Sequence, residues 1–283
     1  MLGFLIVLAL VGIIVAIIQD FRYREVANWL NFTLLAGALA FRAFYSSISG
    51  EYMFLVFGLF GLAISFVLAH LMYYGRLFAG GDAKLFIALG AVIPFANNFR
   101  DNNLIFIVFL ISLLFGGAIY SLIYSAVISF KNRGKFSKKF GELYSMNRNH
   151  FYAAIAFSTA FIIYSFLAKQ FFFLIIPGFL LGLFFLYIYA KAIEQSCMLK
   201  EIPMSQARVG DWLESEIKVG NTTIKPHWEG LTEEQVKLLK KHKGKMMVKE
   251  GIPFTPAFLI AFLVILYIQF KLGGNWGFWG FFE

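Results

Sequence analysis

Apolar residues fill this chain in long blocks, and most of the polar residues between them come in short runs. The first block, residues 2–19, carries no charge. At about 1.5 Å per residue, a helix of that length nearly crosses a hydrocarbon core about 30 Å thick. Similar blocks follow at 29–45, 52–74, 83–96, 104–130, 151–167, 171–189 and 254–270. Trp29 opens the second block, where an indole suits the membrane interface. Pro94 and the polar run 97–103 end the fourth. Residues 168–170 alone separate the sixth block from the seventh, which predicts a tight helical hairpin. Residues 191–253 break the pattern and form the one stretch polar enough for a water-soluble subdomain. Within it, Gly220 and Asn221 form a turn signal between short β-prone runs. Thr232 and Gln235 make a capping box before a Lys-rich helix reaching about Lys243. An aromatic tail with Trp276 and Trp279 follows the last block.

The 283 residues are 60% hydrophobic and 14% charged, with a mean hydropathy of +0.73. That is far too apolar for a soluble domain. The expected fold is an all-α polytopic membrane protein, a bundle of about six to eight transmembrane helices with a small cytoplasmic α+β subdomain. The expected organisation is a membrane core at 1–130, a basic cytoplasmic loop at 131–150 and an additional transmembrane hairpin at 151–190. A cytoplasmic polar subdomain at 191–253 and a last transmembrane helix with its tail at 254–283 complete it. No Lys or Arg precedes the first block and no small-x-small cleavage site follows it, so it reads as a retained span. The single cysteine, Cys197, has no internal disulfide partner, and His70, His150, His227 and His242 are scattered without a His-Glu-x-x-His pattern. Neither a metal nor a cofactor is expected.

The net charge of +9 does not point to nucleic acid, because the cations gather between apolar blocks, where topology accounts for them. With eight spans, all 25 Lys and Arg residues except Arg42, Arg100, Lys169 and Lys271 fall in the loops after odd-numbered spans. The positive-inside rule then places the N-terminus outside and those loops in the cytoplasm.

Two carboxylates stand out against this background. Asp20 closes the first block, and Asp82 follows Gly80 and Gly81 at the start of the fourth. The simplest reading of Asp82 is an N-cap after a glycine turn. Both lie on the predicted cytoplasmic side, however, and depth adds to the case. From Asp82 to Asn97 is about fifteen residues, or about 22 Å of helix, against a core of about 30 Å, which sinks Asp82 below the surface. An ionisable group there is a functional-site hypothesis, with Asp20 as its partner. Two nearby aspartates share a proton, so one can act as general base on water while the other polarises a peptide carbonyl. A proton-coupled carrier or channel built on the same aspartates is the alternative, but the polar groups gather at one face instead of lining the full depth.

At these residues the chain resembles the Gly-x-Gly-Asp membrane aspartic proteases, specifically the archaeal preflagellin and type IV prepilin peptidases. The match rests on Asp20 before a basic, aromatic loop, on Ala79-Gly80-Gly81-Asp82-Ala83-Lys84, and on residues 250–258 entering the last span. Ala79 stands where the motif has its first glycine. The resemblance implies a cofactor-free endopeptidase in the lipid bilayer, with Asp20 and Asp82 as the catalytic pair and Gly80 and Gly81 as the turn that aims it. Its substrate would be a preflagellin or prepilin-like precursor, cut at the cytoplasmic face to remove a short basic leader.

Overall fold

The computed structural model describes residues 2–220 and 222–271. The expected roles of Asn221 in a turn and of Trp276 and Trp279 in a tail lie outside the described residues. In chain order the helices are α1 (Leu2–Tyr23), α2 (Asn28–Ser49), α3 (Tyr52–Tyr74), α4 (Gly80–Gly90), α5 (Phe99–Lys131), α6 (Arg133–Met146), α7 (Arg148–Leu167), α8 (Ile175–Ser196), α9 (Glu233–Lys240) and α10 (Pro256–Lys271). The strands are β1 (Leu199–Pro203), β2 (Trp212–Leu213), β3 (Ile217–Val219), β4 (Thr222–Ile224) and β5 (Lys245–Lys249). Among the described residues six helical segments are long and apolar enough to cross a membrane: α1, α2, α3, α5, α7, and α8 with the turn before it, while α10 is shorter. The chain is an all-α polytopic membrane protein with a small strand-containing subdomain. It divides into one compact unit of residues 1–123 and 252–283 and another of residues 124–251.

In the first unit the fourth apolar block does not form a full crossing helix. Its helix α4 has 11 residues, about 16 Å of rise, and is buried nearly all round: Ala83, Leu85, Phe86, Ala88 and Leu89 all lie inside. A helix apolar on every side belongs in the middle of a bundle. Gly61 of α3 and Gly90 face each other so closely that a Cβ on Gly61 would strike the Gly90 carbonyl oxygen. Pro94 offers no N–H to continue the helix, and Arg42 of α2 takes over the freed carbonyls. Its Nε donates to Ala91 O at 2.8 Å, and its Nη2 to Val92 O at 3.0 Å and Pro94 O at 2.6 Å. Nη1 donates to Phe54 O at 2.7 Å. The guanidinium is fully buried and lies 4.4 Å from the centre of the Phe54 ring. Arg42, which the sequence marks only as a stray cation on the sparse side, clamps the end of a half-helix.

In the second unit the stretch 131–150, expected to be a basic loop, is largely helical. Phe136, Phe140, Leu143 and Tyr144 recur at helical spacing along α6 and pack with Phe184, Ile188 and Ala192 of α8. Helices α7 and α8 form a hairpin whose turn holds Lys169 at φ 55°. The polar stretch builds an antiparallel sheet of order β1-β5-β2 and a β3–β4 hairpin. They share a small core with Met204, Val236, Leu239 and Met246. Thr232 caps α9 through the expected box: its Oγ1 accepts from Gln235 N–H while Gln235 Oε1 accepts from Thr232 N–H.

Candidate active site

One face of α1 is a stripe of Leu5, Ala9, Gly12, Ile13 and Ala16, spaced to point into the bundle, and Asp20 is its last buried position. The aspartate thus occupies a place where the preceding turns put small or aliphatic residues. It is 8% exposed.

Asp82 is equally buried, at 8%. The N-cap of α4 is Ala79, in an extended conformation (φ −72°, ψ 162°) that any residue adopts, so glycine is not required there. Asp82 is therefore not the cap. It stands within the first turn, where unpaired N–H groups and the helix dipole favour an acid, and its carboxyl group meets the Ala79 backbone N–H.

The turn between α1 and α2 is fastened over the start of α4. Gln19 Oε1 accepts from Ala27 N–H at 2.9 Å, and Asn28 Oδ1 accepts from Lys84 Nζ at 2.7 Å. Val26, buried between these contacts, lies against Gly81: a Cβ there would come within 3.3 Å of Val26 N. A Cβ at Gly80 would meet only the Tyr73 ring, at an ordinary 3.8 Å. Of the two glycines, Gly81 permits the close approach, and the backbone that approaches is the chain's own. Lys84 is the strap between α4 and α2.

The result brings Asp20 and Asp82 within electrostatic reach of each other, and among the described residues no hydrogen bond joins their carboxyl groups. Asp20 Oδ2 instead accepts from Thr255 N–H at 3.2 Å and Thr255 Oγ1 at 2.9 Å. Thr255 is fully buried. It is the site residue that sequence reasoning missed, although the Thr255-Pro256 step at the mouth of the last block was its signal. Among the described residues no three His, Cys, Asp or Glu side chains gather as a metal site would require.

Residues 6–122 match the Type IV leader peptidase family. Over 89 residues the chain is 36% identical to a preflagellin peptidase of Methanococcus maripaludis, covering 31% of this chain and 38% of that protein. A preflagellin peptidase of Methanococcus voltae is 29% identical over 31% of this chain and 37% of its own length. One from Methanocaldococcus jannaschii is 29% identical over 30% and 36%. The chain covers little more than a third of the length of each of these relatives. No solved structure matches it. The segment that is similar to the Type IV leader peptidase family, residues 6–122, carries both aspartates.

Proposed function

We propose that this protein is a membrane aspartic endopeptidase that removes the short basic leader of preflagellin or type IV pilin-like precursors. The observation that carries the reading is the convergence of two buried carboxyl groups, Asp20 from the end of α1 and Asp82 from the first turn of α4. Such a pair holds one proton between its members, because like charges at close range do not both ionise readily. The ionised aspartate takes a proton from water as the water oxygen bonds to the scissile carbonyl carbon. The protonated aspartate gives its proton to the carbonyl oxygen. Collapse of the tetrahedral intermediate breaks the C–N bond as the leaving nitrogen takes the proton that the first aspartate gained from water, and a hydroxyl of the intermediate returns its proton to the second aspartate. The leader departs with a carboxylate and the mature protein with a new amine. A basic leader suits a pair carrying negative charge, and the apolar segment behind it suits the surrounding spans.

The aspartates are assigned to the cytoplasmic side on the distribution of Lys and Arg. Cysteine labelling from each side, in a Cys197→Ser background, is expected to reach positions 138 and 240 from the cytoplasm and position 51 from outside. Labelling of the loops beside Asp20 and Asp82 from opposite sides would sink the shared site. The chemical test is incubation of purified protein in detergent with a precursor, followed by sequencing of the new N-terminus. Cleavage after the leader supports the reading, and an intact precursor with proton flux in reconstituted vesicles would favour the carrier.

A further inference from the structure

We propose that Thr255 is a positioning residue for Asp20, so that the start of α10 completes the site; the inference rests on the peptidase reading above. The local sequence prepares Thr255 for this work. A residue before proline is pushed out of the helical region, and proline is at home in the first helical position. Thr255 therefore stands just ahead of α10 in the cap position, its N–H having no partner in that helix's ladder. That N–H and the side-chain hydroxyl both go to Asp20 Oδ2, across a sequence separation of 235 residues.

The neighbours of Thr255 reach the other aspartate's segment. Phe78, four residues before Asp82 and buried, has its ring centre 5.9 Å from that of Phe254 and 6.1 Å from that of Phe258. Gly117 of α5 leaves the room that the Phe254 ring occupies: a Cβ there would lie 2.6 Å from it. The start of α10 thus holds Asp20 by hydrogen bonds and the approach to Asp82 by packed rings.

Two donors on one oxygen have a chemical consequence. They fix the carboxyl group's rotation about Cβ–Cγ and occupy Oδ2, which leaves Oδ1 as the oxygen free to meet water and the second aspartate. Residue 255 lies outside the matched family segment 6–122, so this contribution comes from a part of the chain that the family comparison does not reach.

The test is steady-state cleavage of a precursor by the full-length protein in detergent. Thr255→Val keeps the shape and the backbone N–H but removes the hydroxyl, and is expected to lower kcat about tenfold with KM within about twofold. Thr255→Ser restores the hydroxyl and is expected to return kcat to within about twofold of the parent. A merely structural threonine would not give this split and rescue at an unchanged thermal midpoint. Wild-type kcat in Thr255→Val, or Thr255→Ser as slow as Thr255→Val, would overturn the proposal. Should Thr255→Val not fold, the Asp20→Cys, Thr255→Cys pair in a Cys197→Ser background decides the placement: a disulfide supports it and none refutes it. Failure of the wild type itself to cleave would count against the peptidase reading, and the crosslink would still report on the contact.

Discussion

The strand-containing subdomain and the helical bundle around α4 treat polar atoms in opposite ways. The core around β5 and α9 is wholly apolar, built from residues such as Leu213, Val219, Val236, Leu239 and Val248. Its charges stay outside, as in the half-exposed Lys249 pairing with Glu214 at 2.7 Å and Glu194 at 3.0 Å. The bundle around α4 instead buries Asp20, Asn31, Arg42, Ser46, Ser65, Asp82, Asn102 and Thr255. Where lipid replaces water, an interrupted backbone must find its partners inside the protein. Arg42 serves the carbonyls after α4, Asn102 accepts from Ala96 N–H and donates to Ala96 O, and Ser65 donates to Gly61 O. Asp20 and Asp82 are the two carboxyl groups in this set. Among the described residues neither forms an ion pair with a basic side chain, which supports the catalytic pair proposed above.

Removing the unexplained charges is the sharpest way to break this contrast. Asp20→Asn and Asp82→Asn keep the shape but cannot share the proton, and each is expected to reduce cleavage by about 10²- to 10⁴-fold with expression unchanged. More than a few per cent of activity in either variant would remove that residue from the pair. Arg42→Met is expected to act on folding instead. It leaves four buried carbonyls without their donors, at roughly 1–3 kcal/mol for each that finds no substitute. A thermal midpoint matching the parent's would contradict the clamp.

The glycines offer a finer distinction. Gly81→Val pushes against the Val26 backbone and is expected to lower kcat about tenfold. Gly80→Ala meets only an ordinary contact with Tyr73 and is expected to keep most of the activity. Equal losses in both would mean that the glycines serve the substrate, not the chain's own turn. The smallest effect belongs to the strand-containing subdomain. Thr232→Ala removes a helix cap worth about 1 kcal/mol, and urea unfolding of the strand-containing region should register it while cleavage stays within twofold of the parent, as roughly 1 kcal/mol of stability permits.

The pattern of apolar blocks made the membrane class legible, and Asp20 and Asp82 stood out because a charge at the end of such a block has few structural excuses. Thr255 did not stand out, since it is uncharged and its partner lies 235 residues away. The shortness of α4 was hidden for a related reason. A half-helix buried nearly all round and a full span present the same run of apolar residues, and the group that ends it, Arg42, comes from about 50 positions upstream. Helix α6 was obscured by its charges, although Phe136, Phe140, Leu143 and Tyr144 carried the helical period.

The half-helix also imposes an order on membrane insertion. Helix α4 is too short to be released alone into lipid, and the carbonyls of Ala91, Val92 and Pro94 after it would then face hydrocarbon without donors. Two of its hosts, the Arg42 guanidinium and the glycine face of α3, lie earlier in the chain and leave the ribosome first. A nascent chain halted after α5 should already shield positions 83–96 from aqueous cysteine reagents, and the same chain carrying Arg42→Met should leave them open.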